Sequence, residues 1–294
     1  LAFVRAVGVF IMWMINAFLS AFFAGLTAIL SKIGLEDISS HYVTALRTSL
    51  VLVFTWMMYY VTGSSMQGIN SYNFMFIVLS GLATGASWLC YYRALSLADV
   101  SQVVPIDKLS TFLTMIMAFV IFHEKVTWLK IGCIVIMFIG TYLMQKRPQK
   151  ELNQDKRWLI YAFLSAIFAS LTAILAKIGI ENIDSQTVTA LRTIVVVIRA
   201  WIVVLVTKSY SPISKLNKKQ SGAILFSALA TGLSWLCYFA ALKEGPASIV
   251  VPIDKLSIVI SILFAFFVLH EKQSMKTILG LICIVISTLL LLIS

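Results

Sequence analysis

Seven ionisable side chains stand inside long apolar runs: Arg47, Asp107, Lys108, Arg192, Arg199, Asp254 and Lys255. Burying a charge in hydrocarbon costs several kcal/mol unless it is paired or faces water, so such groups read as functional. Asp107-Lys108 and Asp254-Lys255 lie six or seven residues into their runs. At about 1.5 Å per residue that is roughly 10 Å deep. Neighbours on a helix diverge, so Asp107 need not pair with Lys108. A two-fold arrangement would let Asp107 meet Lys255 and Lys108 meet Asp254. That cluster could bind substrate or a proton, or could be an ion-pair lock between halves of the molecule. Pro105 and Pro252 precede the two pairs; each removes an N–H and frees a carbonyl of the preceding turn.

Arg192 and Arg199 are seven apart and share a helix face. With Arg47 they make the buried set five basic against two acidic groups, a balance that favours an anionic or carboxylate-bearing ligand. The alternative for Arg47 and Arg192 is snorkelling, or pairing with loop acids such as Glu36, Asp37 or Asp184. Trp88 with Tyr91, and Trp235 with Tyr238, are three apart and in phase. They could line an amphipathic cavity or serve packing alone. Lys32 and Lys177 close apolar runs and suit helix C-termini by capping and snorkelling, the alternative being mouth residues that attract substrate. Glu124 and Glu271 read as turn residues. The small-residue pairs Gly81 and Gly85, and Ala228 and Gly232, read as helix-packing faces.

Hydrolytic, phosphate-loop and zinc-protease motifs are missing from the sequence, and no run holds paired carboxylates. No enzyme activity, metal, cofactor or nucleic-acid partner is expected. Cys90, Cys133, Cys237 and Cys283 lie in apolar runs without metal-ligand spacing and are expected as reduced thiols.

The elements that carry these groups follow from composition. The 294 residues are 60% hydrophobic and 12% charged, with a mean hydropathy of +0.96. Soluble domains run about 25% charged, so a water-facing skin cannot be built. Apolar runs fall near 8–31, 43–61, 74–97, 101–122, 128–145, 158–176, 186–207, 220–242, 248–269 and 276–293. Each approaches the roughly 20 residues that cross a bilayer as a helix. The run at 6–30 is too long for a signal-peptide core and reads as the first span. The chain opens on Leu1 rather than Met, and a fragment or trimmed product is expected.

The sequence repeats itself. LTAILSKIG at 26–34 returns as LTAILAKIG at 171–179, VTALRT at 43–48 returns at 188–193, and VVPIDKLS at 103–110 returns unchanged at 250–257. The pattern divides the chain into a first five-helix unit at 1–146, a basic linker at 147–157 and a second unit at 158–294. An odd number of spans inverts the second copy. The expected fold class is therefore an all-α integral membrane protein of ten transmembrane helices in two inverted five-helix repeats, with a ligand site near the midplane. Basic residues divide thirteen to five in favour of loops opposite the N-terminus, which places both termini outside.

This pattern resembles the EamA-type branch of the drug/metabolite transporter superfamily. The resemblance rests on the two five-helix repeats, Arg47 in TALRTSL, Arg192 in TALRTIV, the glutamates Glu124 and Glu271 before the fifth and tenth runs, and the small residues at 98–101 and 245–248. It implies movement of a small polar or amphipathic metabolite or drug by alternating access. It also implies both termini inside, against the charge count. The Asp-Lys pairs are not general to that family, so no substrate carries over. Proton coupling through Asp107 and Asp254 is a further expectation. A facilitative channel and a lipid-handling or scaffolding protein are the alternatives. The expected setting is a bacterial inner membrane, with a small-molecule substrate, lipid and, as an open option, a second copy of the chain as partners.

Overall fold

Polar turns and side-chain caps cut the apolar chain into helices. The computed structural model describes residues 2–34, 39–98, 100–144, 157–210, 217–268 and 274–293. In order the helices are α1 (Ala2–Gly34), α2 (Ser40–Val61), α3 (Ser71–Leu97), α4 (Val100–Ile121), α5 (Trp128–Leu143), α6 (Arg157–Gly179), α7 (Ser185–Thr207), α8 (Lys218–Glu244), α9 (Ala247–Asp254), α10 (Ser257–Val268) and α11 (Met275–Leu292). Every expected run is helical. The run at 248–269, expected as one helix, is two: α9 ends at Asp254 and α10 begins at Ser257.

The caps follow the sequence. The Asn70 carbonyl oxygen accepts from the Asn73 N–H at 2.8 Å. Thr127 accepts from Lys130 at 3.2 Å, and Ser274 from Thr277 at 3.2 Å. Asn217 and Gln220 form a reciprocal capping box at the start of α8. Each cap satisfies an N–H that has no intrahelical partner.

Packing crosses the chain. α1 lies along α8, α3 along α6, α2 against α7, α5 against α11, and α4 against α6 and α9. The large buried cluster gathers Trp13, Ile77, Ile174, Phe239, Leu242 and Ile253 from five helices. Small residues allow the closest approaches: a Cβ on Gly81 would lie 2.8 Å from Val195. The outward faces leave Phe10, Val53, Val120, Ile160, Phe226 and Phe267 exposed. In water a surface of that kind would drive aggregation, whereas in a bilayer it meets the acyl chains. Seven helical stretches among the described residues are long and apolar enough to cross a membrane.

Several contacts join the helix ends on one side of the bundle. The Asn73 side-chain amide donates to the carbonyls of Gly179 at 3.3 Å and Glu181 at 3.1 Å. Thr187 donates to the Ser65 carbonyl at 3.1 Å. Trp13 packs under Gly245, where a Cβ would come within 2.7 Å of the indole.

Candidate functional site

Between the crossing helices lies a cavity of about 360 Å³. Hydroxyls of Thr84 on α3, Ser110, Thr111 and Thr114 on α4, Thr172 on α6 and Ser234 on α8 line it. Its aromatic wall is Trp88, Trp235, Tyr238 and Phe239, and its charged groups are Arg192, Asp254 and Lys255. The lining therefore carries two cations and one anion.

Arg192 is buried, 4% exposed. Its Nε donates to Ser80 Oγ at 3.1 Å and one terminal nitrogen donates to Thr84 Oγ1 at 2.5 Å. Its guanidinium lies 5.5 Å from the Trp235 ring and 5.0 Å from the Phe239 ring. Cation–π contact and hydroxyl dipoles solvate the charge without cancelling it. Among the described residues no carboxylate lies within ion-pair distance of Arg192. Asp184, a partner considered from sequence, flanks the start of α7 without capping it and does not reach the guanidinium.

The two Asp-Lys pairs are placed differently. Asp254 and Lys255 face the cavity, and Asp254 accepts a hydrogen bond from Ser20 at 2.8 Å. Asp107 accepts from Ser165, the repeat counterpart of Ser20, at 2.8 Å across the α4–α6 contact, but does not line the cavity. The expected crosswise ion pairs do not form. The one ion pair of this cluster joins the sequence neighbours Lys108 and Asp107, at 4.0 Å. Lys108 and Lys255 line a common groove with Phe112, Met115, Met137 and Phe138 between α4, α5 and the last helices.

Other expected site residues scatter. Trp88, Trp235 and Tyr238 line the cavity, but Tyr91 packs with Ala94, Val103 and Ala162 outside it. Arg47 donates to Ser31 Oγ at 2.5 Å and Ser227 Oγ at 3.5 Å, apart from the cavity lining. Arg199 lies at a second, smaller recess beside His41, Thr44, Trp88 and Tyr92. Pro252 lies in the last turns of α9, while α4 runs unbroken through position 105. Glu271 lies outside the described residues, as do the loop acids Glu36 and Asp37.

Two residues read from sequence as local do long-range work. The Glu124 carboxylate accepts from the N–H groups of Ala247 at 2.7 Å and Ser248 at 3.0 Å, capping α9 from the other half of the chain. A left-handed His123, φ 51°, turns the chain to present it. The Lys177 ammonium donates to the carbonyls of Gly245 at 2.5 Å and Leu242 at 3.3 Å. It thus serves the end of α8 rather than its own helix.

Sequence reasoning missed Ser20 and Ser165, the donors to the two aspartates, and the hydroxyls around Arg192. One signal was available for the latter. Ser80 and Thr84 are four apart and recur as Ser227 and Thr231 in the second copy, each set beside an arginine.

A helical bundle with apolar outward flanks and a polar, aromatic cavity between its helices marks an integral, multi-pass membrane protein. The model of the EamA-like transporter family matches residues 11–145 and again 156–293, and the chain belongs to that family. An uncharacterized transporter from the cobO 3' region of a Sinorhizobium species is 40% identical over 137 residues, which is 47% of this chain and 97% of that protein. An S-adenosylmethionine uptake transporter of Rickettsia prowazekii (strain Madrid E) is 27% identical over 225 residues, 74% of this chain and 71% of that one. A solved crystal structure superposes with a TM-score of 0.79 at 13% identity, covering 95% of this chain and 96% of that one, a likeness of fold.

Proposed function

We propose that this protein is a secondary transporter for a small amphipathic metabolite that carries a carboxylate and a planar ring. In this reading residues 1–146 and 158–294 are inverted five-helix halves joined by the basic linker, and alternating access comes from rocking one half against the other. The exchange of partners supports it. α1 lies on α8 and α3 lies on α6, so equivalent helices of the two copies swap equivalent neighbours. The setting proposed is the cell membrane of a bacterium, the source of both relatives.

The observation that carries the substrate class is Arg192. It is a buried cation without a carboxylate partner among the described residues, set against aromatic faces at the wall of the cavity. A ligand carboxylate would supply the missing anion, and Trp88 and Trp235 offer planar faces for a ring. S-adenosylmethionine, the named cargo of one relative, joins a carboxylate to an aromatic base and is a sensible first compound. Asp254, hydrogen-bonded to Ser20 beside the break in the ninth run, is the proposed proton carrier.

A thermal-shift screen of metabolites on purified protein, followed by uptake into proteoliposomes, tests this. Aromatic carboxylates should stabilise the wild type, and Arg192→Gln should remove both the shift and uptake. Unchanged uptake by Arg192→Gln contradicts the assignment. Uptake that ignores an imposed pH gradient contradicts the proton role.

A further inference from the structure

The two copies of the repeat differ at one chemically loud position. Residue 199 is arginine, and its counterpart 145 positions earlier is Phe54. Both fill the same kind of contact. A Cβ on Gly85 would lie 2.8 Å from Arg199 Cδ, and one on Gly232 would strike the Phe54 ring. One crossing of α2 and α7 with α3 and α8 is thus sealed by a phenyl ring and the other by a guanidinium.

Among the described residues no carboxylate balances Arg199. Its guanidinium lies 4.8 Å from the Trp88 ring, and its Nε is buried without a hydrogen-bond partner. Groups facing it from α2, α3 and α7 are His41, Thr44, Trp88, Tyr92, Ala200 and Val203, none of them a carboxylate. Among the described residues it makes no ion pair. It stands on the same face of α7 as Arg192, two helical turns away, about 10 Å along the axis. Trp88 borders both spaces, the recess and the central cavity. The recess lies at the end of the bundle formed by the start of α2 and the ends of α3 and α7, where His41 stacks edge-on to Tyr92. The other end is the one tied by Asn73 and Trp13.

We propose that Arg199 is an outer capture subsite for the anionic group of the cargo, separated from the central cavity by Trp88. A carboxylate binds the guanidinium fork with help from the Thr44 and Tyr92 hydroxyls, draws it off the Trp88 ring and is then handed two turns inward to Arg192. The inference rests on the carboxylate-bearing cargo proposed above. It adds that only one face of the membrane has such a subsite, because the counterpart position is Phe54.

Benzoate, a minimal planar carboxylate, is the probe. Titrated into purified protein at constant ionic strength, with benzyl alcohol as uncharged control, it should give a saturable change in tryptophan emission. Trp88→Phe should diminish that change, and the part that remains belongs to Trp235 in the central cavity. Arg199→Gln should weaken binding about tenfold or more, since each lost charged hydrogen bond is of that order. Arg199→Lys, which keeps the charge without the fork, should fall between. No saturable change in the wild type overturns the proposal, as does undiminished binding by Arg199→Gln. A change lost with Arg192→Gln and kept with Arg199→Gln also overturns it, while leaving the central-cavity reading standing.

Discussion

Residues 103–110 and 250–257 have one sequence, VVPIDKLS, and two backbones. In α4 the octapeptide is continuous helix. In the second copy α9 stops at Asp254, and the Lys255 and Leu256 N–H groups bond three residues back, to Pro252 and Ile253, in a tightened turn before α10. The proline is common to both, so it permits the break without dictating it. The neighbours differ. α10 closes on α1 at Gly25, where a Cβ would lie 2.6 Å from Ile260, and Ser261 donates to the Gly25 carbonyl at 3.2 Å. The counterpart of Gly25 is Ser170, whose side chain stands between α6 and α4 and reaches Met117. The missing Cβ allows the close α1–α10 approach, and the Asp-Lys pair that precedes α10 lines the cavity. Each aspartate accepts from the equivalent serine of the other copy, Asp107 from Ser165 and Asp254 from Ser20, and the first pair lies outside the cavity lining. Identical local chemistry lines the cavity in one copy and not in the other.

That contrast can be broken in graded ways. The largest effect is expected on transport. Asp254→Asn should abolish uptake, by about a hundredfold or more, because the cavity loses its one lining carboxylate. Asp107→Asn should keep at least about a tenth of the wild-type rate, because a neutral amide can still accept from Ser165. Equal loss in the two variants, measured in proteoliposomes, removes the distinction.

Next comes packing. Gly25→Val places a branched side chain into the α1–α10 contact and should cost about 1–3 kcal/mol, as overpacking does. Thermal unfolding in detergent reads the loss. Ser170→Gly, the mirror change, should cost less and draw the α4 octapeptide toward the bent form.

Proline replacement sharpens the same point. Pro252→Ala restores an N–H facing the Ser248 carbonyl, a hydrogen bond of about 0.5–1.5 kcal/mol. The protein should become slightly more stable and slower in transport, as α9 and α10 fuse. Pro105→Ala should leave transport near wild type. The smallest effect is at Glu124. Glu124→Gln keeps an acceptor for the start of α9 and loses the charge, which is worth about 0.3–1 kcal/mol at a helix N-terminus. A small drop in melting temperature is the expected reading.

Much of the architecture was legible because membrane helices announce themselves by length and apolarity. The ten runs, the matched arginines and the packing role of Gly81 and Gly85 all follow from sequence. What escaped was set by tertiary neighbours. VVPIDKLS carries no sign of which copy bends. Tyr91 and Tyr238 hold the same place in WLCYY and WLCYF, yet one packs against Ala162 and the other lines the cavity. Lys177 has the sequence setting of a cap for its own helix and caps α8 instead. The Ser20 and Ser165 donors were hidden because serine in a membrane helix most often bonds back to its own turn.

Alternating access at the central cavity is the claim on which the account turns, and sided thiol labelling tests it most directly. Thr111, a cavity-lining hydroxyl, is replaced by cysteine in a chain lacking its four native cysteines, and an impermeant reagent is applied from either face of sealed vesicles. The account expects labelling from both faces, with a bound substrate raising one rate while lowering the other. Labelling from one face alone, or two rates that rise and fall together, would contradict it.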